Sequence, residues 1–370
     1  MTNLRTVGVE EEFLLVDETG HPTAVAAAVL ETAPPELREG PAHVPGGGLE
    51  HELMLEQIET GTVPCTDLTA LDAEIRAGRA RANEASAPHG ARIAAVGTSP
   101  VHVLGTRVPS RRYERAAAQF GLTADEQLTS GCHVHVGVTS RAEGVAVLDR
   151  IGPWLAPLLA ISANSPFWQG VDTSYESYRA QVWSRWPTAG PVRTFGSVDA
   201  YDDAVARLLA TGTILDTGMI YFDARLSARY PTVEIRVADV CLAPATATLV
   251  AALARALVET AAREHAAGQP LPELHPEVLR AAAWRASRSG LADELVDPAT
   301  WRNASAHDVV GSLVDHVRPA LADAGDLDAV TEMLGGLWSR GGGARRQRGW
   351  FAESGDVLDV MRRAADATVD

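Results

Sequence analysis

Alternating apolar and polar positions along the chain predict several short β-strands. The segment from Thr6 to Val16 is a β-prone apolar run that carboxylates interrupt, and Gly131 to Val138 and Arg229 to Val240 alternate with a period of two. Two more strands are predicted over Leu49 to Glu59 and over Arg92 to Gly97. Long, unequal insertions separate these strands, and the sequence shows no internal repeat.

Helical periodicity appears between and after the strands. The first predicted helix is Asp67 to Ala87, and the rest concentrate in the C-terminal half. They cover Ala142 to Ala163, Ala200 to Ala210, Ala243 to Ala266, Pro276 to Arg288, Ala306 to Ala322 and Asp326 to Leu337. Irregular structure is predicted over Pro34 to Gly48, and a mobile loop over Gly341 to Arg348. No low-complexity linker divides the chain, which favours a single α+β domain over residues 1–370.

Charge and composition narrow the classes of partner. The formal net charge of −16 argues against nucleic acid or an anionic membrane as a partner, because such a surface repels phosphates. The N-terminus lacks a signal-peptide pattern, and no apolar run is expected to reach the length of a membrane span. Three cysteines at scattered spacings give no zinc or redox motif. A cytoplasmic protein is therefore expected.

The chain contains no lysine, so all 32 basic residues in the lysine-plus-arginine count are arginines. A Walker A loop, a protein-kinase nucleotide site and a pyridoxal Schiff base each require a lysine and are excluded. Any bound phosphate must be met by metal ions and by arginine, whose planar fork suits bidentate contacts. Drift of a GC-rich genome from lysine to arginine explains the composition equally well, but the exclusion holds either way.

Paired carboxylates in the first strand are the first candidate chemistry. Residues two apart in a strand project on the same side, so Glu10 and Glu12 point together. Two such carboxylates repel each other unless a proton or a cation intervenes, and a divalent metal is the usual remedy. The alternative is an edge strand whose glutamates face solvent. The apolar residues that flank the pair make this alternative less favourable.

Two later strands repeat this arrangement with other charged groups. His133 and His135 share one face of the GCHVHVGV strand, and Glu234 and Arg236 share one face of VEIRV. An isolated HxH pattern is weak, and a carboxylate beside a guanidinium is more often a structural ion pair. Burial would cost on the order of several kcal/mol for each of these charged groups unless the group binds a ligand.

If the strands are neighbours, their charged groups line one cavity. Its members would be Glu10, Glu12, Glu56, His133 and Glu234. Carboxylates outnumber nitrogens in this set, which favours Mg²⁺ or Mn²⁺ over zinc. Glu52 and Glu59 are further carboxylates on the second strand, for which a solvated role is the simpler interpretation.

Six sequence blocks follow one another in order along nearly the whole chain. They are GVEEEF from Gly8, ELMLEQIET from Glu52, GCHVHVGV from Gly131, YRAQVWSRWPTAGP from Tyr178, DARLSARYPTVEIRVADV from Asp223 and WRASRSGL from Trp284. Together these blocks resemble the type 2 glutamate–cysteine ligases, a family of carboxylate–amine ligases. The resemblance implies a glutamine synthetase-like fold, in which a curved, mainly antiparallel sheet holds metals, nucleotide and acid on its concave face. Helices pack on the outer face.

The resemblance also implies roles for particular residues. Glu10, Glu12, Glu56, His133 and Glu234 match metal-ligand positions, and Arg236 matches an arginine directed at the transferred phosphate. The candidates for nucleotide contacts are Arg225, Arg229, Arg285 and Arg288, of which the last two could equally be surface charges on a helix. Those for the acid or amine substrate are Tyr178, Arg179, Arg185 and Trp186. Glu59 and His135 are candidate bases for the incoming amine.

The implied reaction consumes ATP with Mg²⁺ or Mn²⁺. ATP phosphorylates the γ-carboxylate of glutamate, and cysteine or another amine attacks the acyl phosphate, with release of ADP and phosphate. Such phosphoryl transfer needs charge neutralisation and alignment but no protein nucleophile, so it is compatible with a lysine-free chain. A homo-oligomer, with a dimer as the first candidate, is also expected.

Two other classes of protein fit parts of the pattern. A metal-dependent hydrolase could use the HxH pair as ligands and would act without nucleotide. A catalytically silent homologue would bind ATP without turning it over, although the apparently complete set of ligand positions disfavours it.

Overall fold

One mainly antiparallel sheet organises the protein. The computed structural model describes residues 4–38 and 47–370. Within these ranges seven strands form a sheet in the order β2-β3-β1-β5-β9-β8, and β4 pairs with the C-terminal end of β1. The strands of this sheet are β1 (Val7–Val16), β2 (Leu49–His51), β3 (Gln57–Gly61), β4 (Arg92–Ala94), β5 (Gly131–Gly137), β8 (Ala224–Leu226) and β9 (Thr232–Asp239). Two small hairpins, β6 (Phe167–Trp168) with β7 (Val171–Asp172) and β10 (Glu294–Asp297) with β11 (Arg302–Ser305), stand apart from it.

Helices cover one face of the sheet. The helix α10 (Pro244–Ala266) packs against β1, β5 and β9 and against α3 (Leu68–Ser86) and α6 (Arg141–Ile151). The remaining helices are α1 (Ala26–Thr32), α2 (Pro35–Arg38), α4 (Arg111–Phe120), α5 (Leu122–Asp125), α7 (Leu155–Ser162), α8 (Tyr178–Trp183), α9 (Val198–Ala210), α11 (Pro276–Ser289), α12 (Ala306–Ala324), α13 (Leu327–Arg340), α14 (Gly343–Ser354) and α15 (Val357–Val369). The expected α+β class is therefore confirmed.

The alternation in the strands separates the core from the charged residues. Val7 and Val9 of β1 lie in the large hydrophobic core, with Val134 and Val136 of β5 and Ile235 of β9. Because strand side chains alternate between faces, the residues between these valines project to the opposite face of the sheet. The apolar half of each strand thus holds the helices in place, and the polar half is left to line a cavity.

Most predicted elements are confirmed, but the second strand is not continuous. The segment from Leu49 to Glu59 turns back on itself, so that β2 and β3 pair antiparallel with Glu50 opposite Glu59. The reversal occurs between His51 and Gln57 and changes which side chains share a face. The sequence prediction of one strand therefore assigned the wrong orientation to the residues in the turn.

Other differences lie at the two ends of the chain. The loop predicted over Gly341 to Arg348 is wrong from Gly343 onward, where α14 begins, and Gln347 on that helix is completely buried. Of the irregular segment predicted over Pro34 to Gly48, residues 39–46 lie outside the described residues, and Pro35–Arg38 forms the short helix α2.

Two helical segments reach the length and mean hydropathy of a membrane span, although charged residues interrupt the apolar run in each. Among the described residues, Arg141–Ser162 and Pro244–Ala266 are long and apolar enough by length and composition. Most of each segment is buried inside the fold, which accounts for its apolar character.

A buried arginine ties the back of β1 to the end of the chain. Arg79 of α3 donates to both carboxylate oxygens of Glu11 at 3.0 and 2.6 Å, and to the backbone oxygens of Cys241, Leu242 and Thr368. Glu11 lies between Glu10 and Glu12 but points to the helix side of the sheet. The charged face is thus anchored from behind by an ion pair whose hydrogen bonds are satisfied.

Candidate functional site

The strand register brings charged residues together in rows across the sheet. Glu12 of β1 lies opposite Glu59 of β3, and Glu10 lies opposite His133 of β5. His135 lies opposite Glu234 of β9, which in turn lies opposite Arg225 of β8. Since paired residues share a face, these side chains project on the side away from α10. The convergence expected from sequence is therefore present for Glu10, Glu12, His133 and Glu234.

These rows form the floor of a cavity of about 330 Å³. Its walls include Arg236, Tyr113, Tyr221, Trp183 and Trp186. Two groups of three side chains bring their ligand atoms within 4.8 Å of one another, namely Glu10 with His135 and Glu234, and Glu12 with Glu52 and Glu59. We call them the imidazole group and the carboxylate group. The cavity thus offers two neighbouring places where a cation would find several donors.

The carboxylate group carries uncompensated negative charge. Burial and the Glu52 carboxylate raise the pKa of Glu12 to about 7. Burial, Glu10 and Glu52 raise the pKa of Glu59 well above its ordinary value. Part of the charge on Glu12 is offset by the backbone N–H of Gly131, which donates to its Oε2 at 2.6 Å. A divalent cation would relieve the remaining repulsion.

In the imidazole group and the neighbouring His133, the negative and positive side chains are more evenly matched. His133 Nδ1 lies 3.7 Å from Glu10 Oε2, and His135 Nε2 lies 3.3 Å from Glu10 Oε1. Burial opposes the charged form of Glu10, yet the two imidazoles together lower its pKa well below the ordinary range. Burial and Arg236 lower the pKa of His133 to about 4, so this ring is neutral at pH 7 and free to act as a ligand.

His135 differs from His133 in its neighbours. Burial disfavours its charged form, but the Glu10 and Glu234 carboxylates together outweigh burial and raise its pKa. Its Nδ1 lies 2.9 Å from Thr232 Oγ1, and its ring packs edge-on against Tyr230. The Nε2 atoms of both histidines are buried and have no hydrogen-bond partner. Such atoms are costly unless a ligand completes them.

Arginines form the positive side of the cavity. Arg225 donates from Nε and Nη2 to the two oxygens of Glu234 at 2.8 and 3.0 Å. Arg236 also donates to Glu234 and lies over the ring of Trp183, with its Cζ 5.8 Å from the ring centroid. Burial opposes ionisation of Glu234, but these two guanidinium groups lower its pKa well below the ordinary range. The Nε atom of Arg236 is buried without a partner, which leaves a donor for a ligand.

A glycine permits a second arginine to approach the strand. A Cβ at Gly131 would come within 2.3 Å of Arg179 Nη2, so any larger residue would displace the guanidinium. Arg179 is almost completely buried and lies 3.9 Å from Asp239 Oδ1. The positive charge of Arg179 also acts to lower the pKa of Glu12, and so partly offsets the effect of burial. Gly131 therefore serves both as a donor to Glu12 and as the opening for Arg179.

The donor set fits a hard divalent cation. The two groups together hold five carboxylates and one imidazole, with His133 beside them, and oxygen ligands of this kind suit Mg²⁺ or Mn²⁺. The orphaned histidine nitrogens and the raised pKa values of Glu12 and Glu59 are the features that a bound cation would satisfy. Neither group contains a cysteine.

A larger cavity of about 620 Å³ adjoins the ligand rows. Glu10, Glu59 and His135 line both cavities, so the larger one opens next to the imidazole group. Its other walls include Val9, Val138 and Tyr230. An apolar chamber beside a row of cation ligands is suited to a ligand with an aromatic part and an anionic part.

Glu56 is the predicted ligand that the structure does not bring to this cavity. Both of its carboxylate oxygens accept the backbone N–H of Thr106, at 3.1 and 2.8 Å. The prediction of Glu56 as part of the cluster is therefore wrong, because the β2–β3 reversal turns it away. Glu52 and Glu59 occupy the cavity instead, which corrects their interpretation as solvated residues. A hairpin signal between His51 and Gln57 would have been needed to find them.

The remaining predicted residues divide between the cavity and the surface. Arg225, Arg229 and Trp186 line the cavity, although Arg229 is largely exposed. Arg285 and Arg288 do not line it, and the Arg288 guanidinium lies over the ring of Tyr175. Tyr178 packs against Trp168 and Tyr175, and Arg185 pairs with Glu126. These last four residues therefore lie outside the lining of this cavity, and their assignment to nucleotide, acid or amine stays a prediction.

Sequence reasoning missed the aromatic wall. Trp183 and Tyr221 pack against each other with ring centroids 4.7 Å apart, and Tyr221 also packs against Trp186. Tyr113 enters from α4, a helix that the sequence analysis did not predict. Isolated aromatic residues on short helices and in the segments between elements carry no periodic signal, so only the fold reveals that they meet.

Comparison with known proteins gives the same family as the sequence blocks. The model of glutamate–cysteine ligase family 2 matches residues 6–360. A Streptomyces avermitilis protein provisionally named glutamate–cysteine ligase 2-1 is 52% identical over 366 residues, covering 99% of each chain. A Streptomyces coelicolor protein provisionally named glutamate–cysteine ligase 2 is 53% identical and covers 97% of each chain.

Two solved structures share the fold at low sequence identity. The glutamate–cysteine ligase of Francisella tularensis in complex with AMP has a TM-score of 0.69 at 14% identity, covering 99% of this chain and 89% of that one. The bifunctional glutathione synthetase of Pasteurella multocida has a TM-score of 0.68 at 14% identity, covering 98% of this chain and 52% of that one. The glutamine synthetase-like fold class expected from sequence is thus confirmed. The chain belongs to glutamate–cysteine ligase family 2 and is a C–N bond-forming ligase of the carboxylate–amine type.

Proposed function

We propose that this ligase couples ATP hydrolysis to the joining of the γ-carboxylate of glutamate with cysteine or another small amine. The reaction proceeds through γ-glutamyl phosphate, requires Mg²⁺ or Mn²⁺, and releases ADP and phosphate. The observation that carries the proposal is the row of carboxylate and imidazole ligands beside Arg236, in a cavity that adjoins a chamber large enough for a nucleotide.

The charged residues would hold and neutralise the phosphates. The imidazole group and the carboxylate group would each hold a divalent cation, and Mg²⁺ would supply charge neutralisation at the phosphoryl oxygens. Arg236 would donate to the phosphoryl group in transfer, because its unpartnered Nε and its contact with Trp183 fix a donor at the floor of the cavity. Arg225 would keep Glu234 ionised and oriented.

The larger chamber would hold the nucleotide. Tyr230 and the apolar residues Val138 and Pro231 would contact the base, while the phosphates would extend toward Glu10 and His135. The AMP complex of the Francisella ligase, which shares the fold, supports nucleotide binding in this class of protein. We further propose that residues 1–370 act as a single catalytic domain in the cytoplasm, and that the enzyme forms a dimer.

The test measures product and phosphate together. Purified enzyme is incubated with ATP, Mg²⁺, glutamate and one amine at a time, and phosphate release is compared with the mass of the γ-glutamyl product. We expect one phosphate per amide and no turnover after EDTA treatment, with recovery on adding Mg²⁺.

Two outcomes would overturn the proposal. Hydrolysis of amides without nucleotide would favour a metal-dependent hydrolase that uses His133 and His135. Binding of ATP without release of ADP, across the whole panel of amines, would indicate a silent homologue.

A further inference from the structure

A completely buried carboxylate lies behind the cation ligands, at the end of β9. Asp239 is paired with Gly131 of β5, the residue whose backbone N–H donates to Glu12. Asp239 belongs to neither ligand group and lies outside the described lining of the cavity above the ligand rows. A buried carboxylate is costly unless its hydrogen bonds are satisfied, so the partners of Asp239 indicate what it holds in place.

Three donors meet this carboxylate. Asn164 N–H donates to Oδ2 at 2.9 Å, Ser165 Oγ donates to the same oxygen at 2.6 Å, and Ser177 Oγ donates to Oδ1 at 2.8 Å. Each serine oxygen also accepts a backbone N–H, Ser165 from Arg179 at 3.0 Å and Ser177 from Ala180 at 3.4 Å. The single hydroxyl proton of each serine is therefore left for the carboxylate, which is held as an acceptor.

The two serines connect Asp239 to the start of α8. Ser177 is the N-cap of this helix, and Ser165 Oγ accepts the N–H of Arg179 in its first turn. An N-cap side chain fixes the backbone where a helix begins. Since both serine hydroxyls are oriented by one carboxylate, Asp239 determines where the first turn of α8 lies, and with it the backbone of Arg179.

The Arg179 side chain depends on this placement because few other groups hold its guanidinium. It is almost completely buried, and its Nε has no hydrogen-bond partner among the residues that the structure describes. Its Nη1 lies 3.9 Å from Asp239 Oδ1, its Cζ lies 5.6 Å from the centroid of the Trp183 ring, and a Cβ at Gly131 would be only 2.3 Å from its Nη2. The guanidinium is thus confined between a carboxylate, an indole ring and the backbone of β5.

Two parts of the cavity meet this guanidinium. Its positive charge acts on Glu12, and it shares the Trp183 ring with Arg236, whose Cζ lies 5.8 Å from the same ring centroid. Arg236 is the residue that we place beside the transferred phosphoryl group. A displacement of Arg179 would therefore change both the charge beside Glu12 and the support of Arg236.

We propose that Asp239 is a positioning residue of the ligase, which fixes the start of α8 and thereby holds the Arg179 guanidinium beside Glu12. The assignment rests on the proposed function and concerns a residue outside the ligand groups. No described residue of α8 lines the larger chamber that we assign to the nucleotide. Loss of the Asp239 carboxylate should therefore lower kcat and leave the KM for ATP nearly unchanged.

The experiment combines steady-state kinetics with a double-mutant cycle. Asp239→Asn keeps the shape of the side chain but replaces one acceptor oxygen by a donor, so at least one of the three hydrogen bonds is lost. We expect this change to lower kcat by at least about tenfold and to change the KM for ATP by less than about twofold. In an Arg179→Ala background the same change should lower kcat by less than about twofold, because the side chain that Asp239 positions is already absent.

The assay follows phosphate release from radiolabelled ATP, so that the low rates of the variants remain measurable. Mg²⁺ and glutamate are present in each reaction, with cysteine as the acceptor in one series and hydroxylamine in another. Hydroxylamine is a small nucleophile that traps an acyl phosphate without an amino acid acceptor. The effects of the Asp239 and Arg179 variants should be the same in both series, because the positioned group acts before the acceptor reacts.

A second pair of variants keeps the test valid if Asp239→Asn does not fold. Ser177→Ala removes one connection to α8 and leaves the carboxylate in place, and it should lower kcat by about threefold to tenfold. That loss should also disappear in the Arg179→Ala background. Asp149→Asn is the matched control, because Asp149 is similarly buried and accepts the N–H groups of Phe195 and Gly196 at 2.7 Å each. It should keep the wild-type kcat even where thermal unfolding reveals a lower Tm.

The outcomes distinguish this inference from the proposed function. If wild type releases no phosphate with glutamate and either acceptor, the ligase proposal itself fails. If wild type is active and the folded Asp239→Asn or Ser177→Ala variant keeps the wild-type kcat, Asp239 is not a positioning residue. Equal losses of kcat with and without the Arg179 side chain would also overturn the inference, because Asp239 would then act by another route.

Discussion

At the scale of single residues, the cavity is organised by how each carboxylate is compensated. Glu10 and Glu234 are held ionised by imidazoles and guanidinium groups, whereas Glu12 and Glu59 face other carboxylates with too little positive charge nearby. The first pair is prepared to bind at any physiological pH. Ionisation of Glu12 and Glu59 is unfavourable unless a cation is bound. Loss of their protons and binding of a metal ion should therefore be linked.

Glu12 should make the metal-free protein less stable as the pH rises. Its pKa is raised in the folded state from 4.5 to about 7, so folding favours the protonated form. The resulting stabilisation is present below the unfolded pKa and is lost as the pH rises through the folded one. The shift corresponds to about 3 kcal/mol of differential stability.

The measurement compares wild type with Glu12→Gln by thermal unfolding in EDTA from pH 5.5 to 8.5. The variant should gain on wild type as the pH rises to about 7 and level off above it. Mg²⁺ should remove the difference at high pH by stabilising wild type. Parallel curves for the two proteins in EDTA would contradict the raised pKa, and catalysis should be lost in the variant.

Arg236 should matter more for turnover than for binding glutamate. Replacing it with lysine keeps a positive charge but removes the planar fork that contacts Glu234 and stacks on Trp183. We expect Arg236→Lys to lower kcat by roughly tenfold to a hundredfold and to change the KM for glutamate by less than about threefold. Steady-state kinetics at varied glutamate concentration would measure both constants. A raised KM with unchanged kcat would indicate a binding role for Arg236 instead.

At the scale of elements, strand alternation was sufficient to predict much of the cavity floor. The i, i+2 spacing in β1, β5 and β9 placed Glu10 with Glu12, His133 with His135, and Glu234 with Arg236 on shared faces, as the register confirms. The same rule failed for Glu56 because β2 and β3 form a hairpin. A reversal within an apolar stretch changes the face of every later residue, and Leu49 to Glu59 contains no glycine or proline to signal one.

Residues contributed by irregular segments could not be predicted at all. Tyr221 lies just before β8, and Tyr113 lies on a short helix far along the chain from β1. Their positions depend on tertiary packing rather than on a local period. The aromatic wall therefore became visible only in the fold.

The contact between α3 and β1 should be one of the most sensitive in the structure. Substituting Arg79 by leucine would leave the Glu11 carboxylate buried without a partner, together with three backbone oxygens that Arg79 now satisfies. A loss of about 3 to 5 kcal/mol is expected. Chemical denaturation would measure it.

The same helix offers a matched control for this prediction. Arg76 pairs with Asp72 one turn away at the surface, and Arg76→Ala should cost less than about 0.5 kcal/mol. Equal losses of the free energy of unfolding at the two positions would show that the buried ion pair of Arg79 is no more stabilising than the surface pair of Arg76.

At the scale of the whole molecule, arginine is the only long basic side chain that the chain could offer to the phosphates of the proposed nucleotide. The sequence has a net charge of −16 and no lysine, yet Arg225 and Arg236 line the cavity above the ligand rows and Arg179 lies close behind it at Gly131. Positive charge is therefore concentrated locally, and guanidinium groups surrounded by a negative surface should be the reactive basic groups of the site.

Side-chain-selective reagents should reveal this division. An amine-acylating ester should leave activity within about twofold of the untreated enzyme, whereas phenylglyoxal should abolish it, because only arginine serves the phosphates. Prior addition of ATP with Mg²⁺ should slow the loss. Activity would be followed by phosphate release, and resistance to phenylglyoxal would rule out arginine as the essential contact.

Arg79 grips the carbonyl of Thr368, in the last helix of the chain, and the carboxylate next to Glu10 and Glu12. The last helix and the candidate cation ligands are therefore connected through Arg79 and Glu11. A protease that trims α15 should weaken Mg²⁺ affinity before the circular dichroism of the helices changes, so the tail would report on the integrity of a site that it never touches.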